Sequence, residues 1–202
     1  MPRPVLNQLP AGVRPSDIAV VTLADGPRVF AIEPALPGIS VIDPITADRI
    51  PVATGVRVGR ILPFIAPRPE GGDGHFALAW RSGAQEVVFA DLDHLADRRG
   101  RALTSLVLAG AIGHVHPIPG HRMAVATVDA DQIVIIDFDA RTATPLTLAQ
   151  GLRRLIVDPD GSRIYLLTGD DLVALTVDTL TAATAPIPGG GSALLHLPAP
   201  TA

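Results

Sequence analysis

The chain has 202 residues, a formal net charge of −4 and a pI near 5.8, with 48% hydrophobic and 18% charged residues. This balance excludes a disordered chain, and the length suffices for a domain with a substantial core. All 16 basic residues are arginine, with no basic stripe beyond Arg98, Arg99 and Arg101, which excludes an extended nucleic-acid interface; the lack of cysteine excludes disulfides, thiolate metal sites and a cysteine nucleophile.

Aromatic residues make up only 3%, so the core is expected to be Val, Ile, Leu and Ala, poor material for base- or sugar-stacking clefts. The opening residues MPRPVLNQLPAG lack the apolar stretch of a signal peptide, and no apolar run reaches the roughly 18–20 residues of a membrane span. The sequence as written predicts a soluble cytoplasmic protein, or a periplasmic or secreted one if residues precede this start.

In chain order, residues 5–9 followed by Gly12 read as the outer strand of a preceding unit. The first full unit has strands at 18–23, 28–33, 38–43 and 49–54, with an Ala-Asp-Gly-Pro turn at 24–27. The second carries a proline- and glycine-rich connection at 67–74, predicted to be a mobile loop, then strands at 75–80 and 86–91. The third has strands at 114–117, 122–128, 132–137 and 144–148. The fourth has strands at 152–157, 163–168, 172–177 and 183–187, its first turn being Asp158-Pro159-Asp160-Gly161. Residues 192–197 read as the first strand of a further unit.

The units share a pattern: an apolar strand ending in Asp, a turn, a strand carrying Pro, then Gly. The aspartates are Asp43, Asp91, Asp137 and Asp178, and the glycines Gly55, Gly110, Gly151 and Gly189, recurring mostly at intervals in the forties. Short strands at such a period are the signature of β-propeller blades. The expected fold is an all-β propeller of about four four-stranded antiparallel blades, near 13–55, 56–110, 111–151 and 152–190. They form a single domain over 1–202, as a partial or fragmentary ring. The apolar runs 133–136 and 155–157 are expected to be buried on both faces. Pro51, Pro145 and Pro186 place their strands at blade edges, because proline cannot donate to a ladder on both sides.

The stretch 151–184 resembles the YVTN-type, YncE-like β-propeller repeat family, through Asp158-Pro159-Asp160-Gly161, Ile164-Tyr165-Leu166 and Val177-Asp178-Thr179-Leu180-Thr181. Residues 15–55 are similar through Val41-Ile42-Asp43-Pro44-Ile45-Thr46. The second and third units match less well. The resemblance implies seven or eight blades as a rule, so the chain is expected to be a fragment, a reduced relative, or one half of a homodimer that completes the ring. It implies a binding or scaffold role and carries over no catalytic residue.

The clustered candidate ligands are His114, His116 and His121. His114 and His116 sit two apart and share one strand face, and the Pro-Ile-Pro-Gly turn is expected to return His121 beside His116, a set that suits zinc with one position open. Asp158 and Asp160 lack the later ligands of a calcium loop and read as a turn. The four repeated aspartates read as turn-forming residues. No nucleophile elbow occurs, the Gly-rich segments lack the lysine of a phosphate loop, and Trp80 reads as a packing residue. The function expected is a non-catalytic binding or scaffold propeller that recognises a protein partner or small ligand at its channel mouth, with no cofactor. The alternative is a metal-dependent, lactonase-like enzyme or a zinc-binding propeller using the 114–121 hairpin.

Overall fold

The computed structural model describes residues 14–97 and 102–187. The terminal strands expected at 5–9 and 192–197, Gly12, Gly189 and Arg98, Arg99 and Arg101 lie outside them. The chain divides into two compact units, Met1–Leu108 and Ala109–Ala202. Among the described residues, no helix is long and apolar enough to cross a membrane.

The first unit holds β1 (Asp17–Leu23), β2 (Gly26–Ile32), β3 (Gly38–Ile42), β4 (Arg49–Ala53), β5 (Arg60–Pro67), β6 (Asp73–Trp80), β7 (Glu86–Asp91) and β8 (Leu103–Val107), with one 3-10 turn at Leu95–Asp97. These form two antiparallel four-stranded sheets, β1-β2-β3-β4 and β5-β6-β7-β8. The second unit holds β9 (Ile112–Ile118), β10 (Met123–Val128), β11 (Gln132–Asp137), β12 (Thr142–Thr147), β13 (Leu152–Val157), β14 (Arg163–Thr168), β15 (Asp171–Thr176) and β16 (Thr181–Pro186). Its sheets run β9 to β12 and β13 to β16 in the same sequential order. Each sheet is thus a meander of the kind a propeller blade requires.

Aliphatic side chains fill both cores, as the shortage of aromatics predicts. In the first unit Phe30, Ile32, Ile39, Val41, Val88 and Leu92 pack with Ala77 and Ala79, the small residues allowing two sheets to approach. In the second, Ile118, Val125, Ile133 and Ile135 of one sheet meet Ile164, Leu166 and Leu175 of the next. The run 133–136 is fully buried, but 155–157 is only half-buried, because β13 is an edge strand beside an open cleft. Pro51, Pro145 and Pro186 do lie on the edge strands β4, β12 and β16.

Two expectations change on the structure. The supposed mobile loop at 67–74 is a short hairpin turn, because β5 runs to Pro67 and β6 starts at Asp73. The Arg68 amide donates to Gly72 O (2.8 Å) and the Gly71 amide to Arg68 O (3.0 Å). Asp178 is also out of step with the other repeat aspartates. The buried residues Leu92, Phe138 and Val177 donate equivalent amide bonds, to His75 O, Arg122 O and Ser162 O. They therefore align Asp178 with Asp93 and Asp139, and Thr176 takes the place of Asp91 and Asp137. Asp43 and Asp137 do form the expected side-chain turns. Asp43 Oδ1 accepts from the amides of Ile45 (2.7 Å) and Thr46 (3.2 Å), and Asp137 Oδ1 from Asp139 and Ala140 (both 2.9 Å). Those amides hold the Asp43 carboxyl below the usual carboxylate range.

Candidate functional site

Both sheets of the second unit begin with a bulged strand. In β9, Ala126 of β10 pairs with Val115, and Val128 with Ile112, so Gly113 and His114 together face Thr127. The His114 amide donates to Thr127 Oγ1 at 2.9 Å. Gly113 admits that hydroxyl, since a Cβ there would lie only 2.8 Å from Thr127 Oγ1. In β13, Leu152 pairs with Thr168 and Arg154 with the adjacent Leu167, so Arg153 is the extra residue. A bulge interrupts the alternation of side chains and re-aims them. Leu152, Leu155 and Val157 accordingly pack against the core, while Arg153 and Arg154 between the leucines are both exposed.

The two bulges border one cleft of about 570 Å³, within the size range of small-molecule sites. Its polar lining is His114, His116, Thr127, Asp129, Arg153 and Arg154; Leu152, Leu155, Ile156 and Ala130 supply the rest. The imidazoles of His114 and His116 are tilted, with ring centroids 6.4 Å apart. His116 is half-buried, and burial, helped by the neighbouring His114, pushes its pKa below the ordinary imidazole value. Asp129 stands at positive φ (53°) in the β10–β11 turn, its amide donating to Ala111 O (3.1 Å). A Cβ on Gly110 would collide with the Asp129 carboxylate, which ties that glycine to the placement of the acid.

The structure brings two of the three predicted histidines together. His114 and His116 line the cleft, while His121 lies outside it, in the turn after β9, because β9 continues through Pro117 to Ile118. There His121 Cδ2 would come within 3.0 Å of a Cβ placed on Gly161, so it rests against the β13–β14 turn. Among the described residues, no three His, Cys, Asp or Glu side chains are grouped as a metal ion requires. The sequence reading does not single out Arg153, Arg154 or Thr127, and it takes Asp129 as part of a hairpin turn. Their one signal was Arg153-Arg154 inside an otherwise apolar strand, LRRLIV.

A second polar cluster lies in the first unit. Arg68 makes a two-pronged pair with Asp91 (Nη1–Oδ2 2.8 Å, Nη2–Oδ1 2.9 Å) and bonds Asp93 Oδ2 at 2.6 Å. Its guanidinium carbon stands 5.1 Å from the Phe76 ring centroid, and Phe76 stacks on Phe89 with centroids 4.9 Å apart. His75 Nδ1 lies 3.1 Å from Asp93 Oδ1, and His94 Nδ1 2.9 Å from Asp91 Oδ2. Burial by itself would raise both carboxyls, but bonds from Arg68 and His94 to Asp91, and from the His75 amide and Arg68 to Asp93, outweigh it and hold both below the usual range. Asp91 in turn raises the Arg68 pKa. With its charges mutually satisfied, this cluster is a structural clamp.

The sheet architecture is that of a β-propeller, and comparison with solved structures agrees. The chain is similar to dihydro-heme d1 dehydrogenase NirN, solved in complex with DHE (TM-score 0.61, 14% identity, 84% of this chain and 38% of that one). It is also similar to the β-propeller domain of Cps50 (Swd1) from Myceliophteria thermophila (TM-score 0.58, 13% identity, 94% and 60%). A third likeness is to apo AztD from Citrobacter koseri (TM-score 0.54, 10% identity, 86% and 48%). The chain therefore spans between 38% and 60% of the length of these structures, and at such identities the likeness is one of fold. No protein-family model matches the chain, and no curated protein matches it in sequence.

Proposed function

We propose that this chain is a non-catalytic binding propeller that takes a small ligand in the cleft between β9 and β13. The observation that carries this reading is the convergence of two bulges, in the first strands of adjacent blades, on one cleft with six polar side chains. Bulges concentrate where a strand must re-aim side chains, and a pocket with a few convergent polar groups is the default recognition site. The guanidinium, imidazole and hydroxyl groups suit recognition. We read the repeat as YVTN-type, on the Asp158–Gly161 turn and the strand that follows, and we propose that a second copy of the chain supplies further blades.

The test is a ligand-observed NMR screen of a fragment library against the full chain and against Ala130→Trp. Ala130 is an exposed residue on the cleft wall, so an indole there obstructs the cleft without entering the core. Fragments are expected to bind the wild-type chain, to be lost in the variant, and to be recovered unchanged. Hits indifferent to Ala130→Trp overturn the assignment of the site, and turnover of a bound fragment favours the enzyme alternative.

The zinc reading rests on the His114–His116 pair and is separated by titration calorimetry. A one-to-one zinc heat abolished by His116→Ala would support a metal site in place of a ligand cleft; its absence is the expected result.

A further inference from the structure

We propose that the β9–β13 cleft is an oxyanion site, where a carboxylate or phosphate group of a small ligand is held by Arg153 and Arg154 with His116 beside it. The proposal rests on the binding reading above and adds the chemistry of the ligand.

Among the described residues that line the cleft are two guanidinium groups and two imidazoles but one carboxylate, that of Asp129. Two other cavities offer no such set. A groove of about 450 Å³ in the first unit is lined by Pro51, Val52, Val88, Leu95 and Leu103, with no ionisable side chain among the described residues. A cavity of about 260 Å³ in the second unit is mainly aliphatic, with Asp171 the one charged group among the described residues that line it. An excess of planar forked cations over acids is the arrangement that recognises carboxylate or phosphate.

The backbone accounts for the geometry. In a regular strand, consecutive residues point to opposite faces, so two adjacent arginines could not both serve one ligand. The bulge at Arg153 removes that restriction. Across the cleft, Gly113 and His114 form the opposing bulge, which Thr127 fixes through the His114 amide.

The groups around His116 predict how binding follows pH. His114 stands two residues away on its own strand, Arg153 and Arg154 of β13 and Asp129 of the β10–β11 turn line the same cleft, and Val125 is its partner on β10. Burial, with His114 beside it, holds the imidazole pKa below its ordinary value, and a bound anion offsets that penalty. Anion binding therefore draws a proton onto His116, and affinity rises as pH falls.

Titration calorimetry of the full chain with tartrate and with dimethyl phosphate, a carboxylate and a phosphate probe whose charges stay essentially constant from pH 7.5 to 5.5, tests this over that range. Saturable binding is expected with at least one probe, and the preferred probe separates a carboxylate ligand from a phosphate ligand. Affinity is expected to rise by up to about tenfold per pH unit, the limit for one linked proton. Arg154→Gln is expected to weaken binding about ten- to a hundredfold, the worth of a lost charge-assisted bond, with Arg154→Lys recovering part of it. His116→Gln is expected to keep binding but lose the pH dependence. Arg154 is exposed and His116 half-buried, so unchanged melting curves will confirm that these variants fold. If neither probe binds, or if Arg154→Gln binds like wild type, the oxyanion proposal falls. Should neutral fragments still bind and be lost in Ala130→Trp, the cleft remains a binding site of other chemistry; should nothing bind there, both readings fall together.

Discussion

Arg68 closes a segment whose composition alone reads as mobile. Its guanidinium bonds Asp91 and Asp93 from inside the turn, and Gly74 makes room, since a Cβ there would collide with the guanidinium. The side chain is mostly buried, and removing one partner leaves two carboxylates in partly desolvated positions. Allowing for their residual exposure, Arg68→Ala is expected to cost about 2–3 kcal/mol, measured by urea unfolding. The pH dependence has a definite sign. Asp91 and Asp93 have folded values below their unfolded ones, so their contribution is complete above the ordinary carboxylate pKa and is lost as pH falls through the depressed values. Wild-type melting temperature should decline on acidification from pH 5 to 3, and Arg68→Ala should flatten that decline. A variant with the wild-type acid profile would remove the clamp from this account.

Among the elements, one contact depends on a single glycine. Gly161 sits at φ 74° in the β13–β14 turn, and a Cβ on it would collide with the Pro119 carbonyl of the β9–β10 turn. Left-handed backbone strain and a collision with main chain combine here, so Gly161→Ala is expected to destabilise by about 2–4 kcal/mol, measured by chemical denaturation. A loss under about 0.5 kcal/mol, the range of neutral surface changes, would show that the two turns are not held together.

Strand order was legible in the sequence because chemistry and position agree: Pro51, Pro145 and Pro186 mark edges, and Ile133 to Ile136 mark a strand buried on both faces. Register was less legible. Aspartates recur two apart in the second and third blades, as Asp91 with Asp93 and Asp137 with Asp139, so a frame set on aspartates alone can slip by two. The buried Leu92, Phe138 and Val177 fix it. The candidate site was half legible. His114 and His116 were visible as a strand-spaced pair. Arg153 and Arg154 were not, because a bulge is a property of two paired strands and leaves little trace in either one.

For the whole molecule, the comparisons bear on assembly. Propellers similar to this chain are longer than it, the chain spanning 38–60% of three of them. The proposed second copy makes a prediction on mass: light scattering coupled to sizing should give twice the 21.0 kDa of one chain. A monodisperse species at 21.0 kDa that melts cooperatively would retire the homodimer. The two apolar cores are each built from two neighbouring sheets, so each pair of blades carries its own packing whatever the outcome.

The bulge at Arg153 acts as a frameshift in the alternation of a strand. On either side of it the apolar residues keep their places, Leu152 before and Leu155 and Val157 after, yet one residue more is accommodated between them. The polar equipment of the cleft is therefore a matter of chain length as much as of composition. Deleting Arg153 would restore an ordinary ladder between Leu152 and Leu155 with a single arginine between them, and no substitution that preserves length would have the same effect. Scans that only exchange side chains will undervalue this position; scans that add or remove residues will find it.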